Sequence, residues 1–115
     1  MRSRRDADES RMGRGVSAAG ETMPSVTSKA TIRNQAGLHA RPAMAFVDIA
    51  NKFESRVTVF KAGDEPVTAD GKSVLEMIGL LAPEGTLLSI EADGADAESA
   101  VAALTELIES KFGED

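Results

Sequence analysis

The run Gly37-Leu38-His39-Ala40-Arg41-Pro42 decides how this chain is read, because it holds the sole histidine of 115 residues at the place where a helix begins. Downstream, Ala43, Phe46, Val47, Ala50 and Phe53 recur at spacings of three and four, the period of an amphipathic helix. Proline lacks an N–H and fits only the first turn, so Pro42 places the helix start within a residue or two of His39. The first-turn amides, those of Ala40 and Arg41 with Ala43 at the limit of the turn, then have no intrahelical acceptor. Together with the positive end of the helix dipole they form an anion site. Gly37 lets the chain turn sharply into that position. Arg41 adds a permanent charge whose planar fork matches phosphate oxygens.

Two readings of His39 stand on these residues alone. In one it is a nucleophile that takes a phosphoryl group, the free amides and Arg41 stabilising the dianion. In the other it is a surface residue at a helix entrance.

Working outward, Val26, Ser28, Ala30 and Ile32 alternate with Thr27, Lys29, Thr31 and Arg33, which predicts a half-buried strand over 25–33. The histidine loop and a helix over 40–53 follow. Val57 and Val59 on one side and Phe60 on the other predict a strand over 56–61. Ala62-Gly63-Asp64 supplies turn chemistry, and 66–69 returns as the second arm of a hairpin. A short helix over 73–81 ends before Pro83 and Gly85, with Met77, Leu80 and Leu81 assigned to the core. A strand over 86–92 turns Leu88 and Ile90 inward. Asp96 then caps a last helix with Ala100, Val101, Leu104, Leu107 and Ile108 on one face. The order βαββαβα predicts an α+β fold, a two-layer sandwich with helices on one face of an antiparallel sheet.

Composition removes several function classes. There is no cysteine, so neither a disulfide framework nor a thiolate metal site can form. One histidine is too few for an ordinary zinc or non-haem iron site, and no metal or cofactor is expected. Residues 1–23 carry five arginines against four acidic residues, a balance of +1, which with the overall −6 leaves the remainder near −7. Such an acidic domain is a poor nucleic-acid binder. The first segment, 1–23, is rich in Arg, Ser, Gly and Asp and is expected to be a disordered extension to a single domain over 24–115. No apolar run approaches the roughly 18–20 residues of a membrane span or the h-region of a secretory signal, so a cytoplasmic protein is expected. The paired carboxylates Asp64-Glu65 and Glu114-Asp115 read as solvated charges in turns or termini.

Gly71-Lys72-Ser73 imitates the end of a nucleotide-binding P-loop, but Pro66 stands where that motif needs its first glycine, which excludes ATP binding. Ser73 with Glu76 fits a reciprocal capping box. Ser73 and Ser89 have no nucleophile-elbow sequence that would make either a triad serine. On the short helix Val74, Leu75 and Ile78 lie opposite the core arc. With Ala40 and Met44 they form a candidate docking face, or they finish the core.

The heptapeptide Gly37-Leu38-His39-Ala40-Arg41-Pro42-Ala43 resembles the active-site signature of the histidine phosphocarrier family, HPr, of the bacterial phosphoenolpyruvate-dependent phosphotransferase system. Residues 71–80, GKSVLEMIGL, are similar to that family's second helix and regulatory serine. Gly85, the strand to Ala92 and Gly94-Ala95-Asp96 resemble its last strand and the start of its final helix. The three matches are collinear across 24–115. The resemblance implies an open-faced sandwich of four antiparallel strands and three helices, with the histidine loop and the second helix together at one edge. It implies that His39 accepts a phosphoryl group on Nδ1 from phosphorylated enzyme I and passes it to a IIA-type protein in sugar uptake or its regulation. Arg41 would hold the phosphoryl oxygens while Gly37, Ala40 and Pro42 shape the loop and helix start. Such a chain is a monomeric carrier with no turnover of its own. The resemblance also implies Ser73 as the target of a serine kinase/phosphorylase, where a phosphate would add about two negative charges. The alternative is a regulatory module of the same fold, in nitrogen-related or carbon-catabolite control, that engages a kinase or transcription factor without obligatory relay. One departure from the family stands beside the site: Ala36 occupies a position where Ser or Asn is frequent, which removes a polar cap to the phosphoryl group.

Overall fold

The structure is a computed structural model that describes residues 25–63 and 66–113. The expected extension over 1–23 lies outside the described residues, as do Asp64-Glu65 and Glu114-Asp115. The elements are β1 (Ser25–Thr31), α1 (Ala40–Ala50), β2 (Arg56–Lys61), β3 (Val67–Asp70), α2 (Val74–Gly79), β4 (Leu87–Asp93) and α3 (Ala97–Glu109), followed by a 3-10 turn at Lys111–Gly113. The order is the βαββαβα read from the sequence.

The four strands form one antiparallel sheet in the order β1-β4-β2-β3. β2 and β3 make the expected hairpin, Val59 facing Ala69. β4 sits between β1 and β2, with Ile90 opposite Ser28 on one side and Val59 on the other. Alternation then decides the faces. Val57, Val59, Ala69, Leu88, Ile90 and Ala92 are buried under the helices, whereas Phe60, Thr68 and Leu87 stay exposed on the open face. Phe46 and Ala43 of α1, Met77 of α2 and Leu104 and Ile108 of α3 close the core from the other side.

Helix ends depart from the periodic pattern in three places. α1 stops at Ala50 rather than 53. Asn51 is its C-cap, and Lys52 and Phe53 bond back to Ile49 and Ala50 in tighter turns. The Lys72 ammonium reaches the Phe53 carbonyl at 2.8 Å, a cation at the negative end of the helix. α2 is also shorter, because Leu81 adopts φ +51 just after the helix and donates its N–H to Ile78. That left-handed position swings its side chain outward, so Leu81 is 74% exposed where the periodicity assigned it to the core, and Met77 and Leu80 fill the interior without it. At the start of α2, Ser73 Oγ accepts the Glu76 N–H at 3.2 Å as expected. The Glu76 carboxylate, however, accepts from Asp70 N at 2.8 Å, while Ser73 N donates to Asp70 O. The capping box is therefore open on one side.

The third departure concerns Asp96. It is the N-cap residue of α3 but makes no side-chain capping bond. Its carboxylate turns instead to the start of β2, accepting from the Glu54 and Ser55 amides at 2.8 and 3.0 Å and from the Ser55 hydroxyl. Gly94, at φ +151, makes room: a Cβ there would lie 2.6 Å from Ser55 Oγ and 2.8 Å from Ser55 Cα. The Ser55 hydroxyl first, and then the Glu54 amide, hold the Asp96 carboxyl below its ordinary value of 3.8. A carboxyl with a lowered folded pKa stabilises the fold above its unfolded pKa and loses that contribution as pH falls through the folded value. Urea denaturation of the protein and of Asp96→Asn should therefore show a stability gap at pH 7 that narrows steadily below pH 3.8. A gap that stays constant into acid would contradict this assignment.

Candidate functional site

The chain leaves β1 and makes a β-turn at Asn34-Gln35-Ala36-Gly37, closed by Gly37 N–H donating to Asn34 O at 3.0 Å. Gly37 has φ +78, a conformation side chains rarely adopt. Space forbids a side chain as well, since a Cβ would stand 2.7 Å from the Ala82 carbonyl oxygen and 2.9 Å from Pro83 Cα. The next amide, Leu38 N–H, donates to that same Ala82 carbonyl at 2.8 Å. Leu38 is buried. The loop is thus fastened to the segment that follows α2, which brings the histidine loop and the end of the second helix to one edge as expected.

His39 is the N-cap of α1, with φ −96 and ψ −166, and its imidazole makes no capping bond to its own helix. The side chain is exposed. Ala40 and Arg41, the first two helical residues, have no intrahelical acceptor by position. Pro42 is the third and brings no N–H. Ala43 does not join the free donors, because its N–H bonds the His39 carbonyl at 3.0 Å. The start of α1 therefore offers two amides, with no acidic residue in the first turn and the exposed Arg41 as its second residue, a combination suited to an anion. An imidazole in this place can accept a group that develops negative charge, and the amides, dipole and guanidinium favour the product.

The remaining residues sort by place. The Lys72 contact with Phe53 sets the start of α2 beside the end of α1, while Ala82, after α2, sits beside the start of α1. The two helices are antiparallel, and Ser73 lies toward the opposite end of α1 from His39, a helix of about 16 Å. Gly71 is a packing residue, with a Cβ there 2.4 Å from Val57 Cγ1, which accounts for the glycine of the false P-loop. On the helix pair, Met44 is 54% and Leu75 81% exposed. Ala40 is exposed too, whereas Val74 and Ile78 are only half-buried and pack against the core. The arc is therefore divided: Ala40, Met44 and Leu75 are exposed, and Val74 and Ile78 help to complete the core.

Sequence reasoning passed over Asn34, whose side chain is buried and donates from Nδ2 to the Gly37 carbonyl at 2.7 Å. A signal was present: Asn at the first and Gly at the fourth position of a turn is a favoured combination. Among the described residues no group of His, Cys, Asp and Glu could hold a metal ion, and no helix is long and apolar enough to cross a membrane.

A small open-faced sandwich that displays one imidazole at a helix N-terminus, fastened from behind by a turn, has the form of a carrier domain. Residues 26–110 match the family described as the PTS HPr component phosphorylation site, and the chain belongs to that family. It is 41% identical over 87 residues to the phosphocarrier protein NPr of Proteus mirabilis, covering 76% of this chain and 94% of that one. It is 45% identical over 83 residues to the phosphocarrier protein HPr of Neisseria meningitidis serogroup A, covering 72% and 90%. Among solved structures, HPr-C-His from Thermoanaerobacter tengcongensis superposes with a TM-score of 0.67 at 42% identity, covering 81% of this chain and 99% of that one.

The fastening of the loop is testable without any partner. Gly37→Ala adds a Cβ against backbone atoms in a disfavoured conformation, and should cost roughly 1–3 kcal/mol. Guanidinium denaturation midpoints would measure it, and an unchanged midpoint would mean that the loop does not bear on Ala82–Pro83.

Proposed function

We propose that His39 carries the phosphoryl group in this phosphocarrier. The imidazole Nδ1 attacks the phosphorus held by phosphorylated enzyme I, so that a P–N bond forms at His39 as the donor's bond breaks. A IIA-type protein then takes the group by the same exchange in reverse. The observation that supports this most directly is the exposed, non-capping imidazole of His39 at the start of α1, inside the matched region and next to Arg41. In the transition state charge spreads over the phosphoryl oxygens, and the Ala40 and Arg41 amides with the Arg41 guanidinium are the donors placed to meet it. His39 is exposed, so the group stays accessible to an acceptor. With no substrate turned over by the chain itself, it is a transferase component that works in the cytoplasm as a monomer, without a cofactor.

Met44 and Leu75, the exposed large apolar residues of α1 and α2, form the docking face with Ala40 in this reading, and the partly exposed Val74 and Ile78 border it. Ser73 is the residue on which a serine kinase would act. Its hydroxyl already serves as the cap of α2, and a phosphate there would charge the far end of the same face.

Incubation with enzyme I and labelled phosphoenolpyruvate should give acid-labile label on the wild type and none on His39→Ala. Acid-stable label, or label that survives the substitution, would sink the assignment. Arg41→Ala should slow transfer by at least about tenfold while the protein stays folded. Met44→Glu should raise the KM for the carrier and leave kcat nearly unchanged, as removal of a docking contact requires.

A further inference from the structure

Asn34 is a polar side chain only 3% exposed, and burying an amide is costly unless it is bonded. Its Nδ2 donates to the Gly37 carbonyl at 2.7 Å. That carbonyl accepts a second bond, from the His39 N–H at 3.0 Å. The peptide unit joining Gly37 to Leu38 is therefore gripped on one oxygen by a buried carboxamide and by the amide of the residue that bears the imidazole. Turning that unit would break both bonds at once. The N–H side of the same unit is held by Leu38 N–H on Ala82 O, and Asn34 adds a side-chain donor on its carbonyl side, at an acceptor shared with the His39 amide.

We infer that Asn34 is a positioning residue for phosphoryl transfer: its carboxamide fixes the Gly37 carbonyl, which fixes the His39 amide, and so sets the imidazole against the free amides of Ala40 and Arg41. The inference rests on the phosphocarrier reading of His39. Asn34 is buried, with its Nδ2 on the Gly37 carbonyl beneath the loop. It acts on where the nucleophile stands, and a displacement of about 1 Å is enough to cost as much as a hundredfold in rate.

The test has a part that needs no variant. In the labelled wild-type protein, a through-hydrogen-bond coupling between Asn34 Nδ2 and the Gly37 carbonyl carbon is expected, and its absence would overturn the inference. Asn34→Ala and Asn34→Asp both remove the donor, the second at constant size. Each should exchange the His39 amide hydrogen faster while the Leu38 amide keeps its protection. Each should also lower kcat for phosphorylation by enzyme I by at least about tenfold, with the KM for the carrier and the final phosphohistidine yield little changed. A folded variant with undiminished kcat overturns the inference, and so does a loss of kcat with the His39 amide still protected. If the wild type takes no acid-labile phosphate on His39, the carrier reading fails and the transfer role of Asn34 falls with it. The coupling and exchange data then still decide whether Asn34 sets the loop.

Discussion

The contact on which the site depends is the seating of Gly37 and Leu38 on the Ala82–Pro83 backbone. It joins the turn before α1 to the segment after α2, two stretches more than forty residues apart in the chain. Only a residue without a side chain fits at position 37, and the amide of Leu38 closes the contact with a hydrogen bond to Ala82. Because α2 is antiparallel to α1, its end is brought to the place where α1 begins. The sheet fixes where both helices lie, and the contact converts that arrangement into a fixed direction for the His39 backbone.

From that direction the chemistry of the helix start follows. His39 uses its carbonyl to accept the Ala43 N–H and its own N–H to reach Gly37, which leaves the imidazole outside the helix ladder. Pro42 removes one amide from the first turn, so two remain, those of the two residues that follow the histidine. The two ends of α1 differ in charge: the Lys72 ammonium at the Phe53 carbonyl offsets the negative end, whereas at the start Arg41 adds its positive charge to the free amides and no acidic residue offsets it. A second clamp, Asp96 on the Ser55 and Glu54 groups, ties the start of α3 to the start of β2 and keeps the sheet in register with its helices. It lies outside the histidine loop.

Much of this was legible in the residues. Strand alternation around Val57-Val59 and Leu88-Ile90, and the three-four spacing from Ala43 to Ala50, are repeated signals in which each residue supports the next. His39 and Arg41 were legible because proline and glycine bracket them and restrict the backbone. What escaped notice depended on partners distant in sequence. Asp96 has the sequence of an N-cap, but Ser55 and Glu54, some forty residues earlier, offer its carboxylate three donors. Leu81 continues the apolar period of α2, yet the helix has ended and the left-handed turn carries the side chain outward. Glu76 bonds Asp70 instead of Ser73 because β3 delivers an unpaired amide to it. Asn34 could be read as a turn residue from its spacing to Gly37, but not as a donor to a carbonyl shared with His39.

The central claim is that a phosphoryl group on His39 is received by the two free amides at the start of α1. Amide proton and nitrogen shifts recorded before and after phosphorylation by enzyme I measure this directly. Large downfield shifts confined to Ala40 and Arg41, with Ala43 little moved because its amide is already bonded, are the predicted result. Shifts absent from Ala40 and Arg41 in a chain that demonstrably carries phosphohistidine would contradict the account.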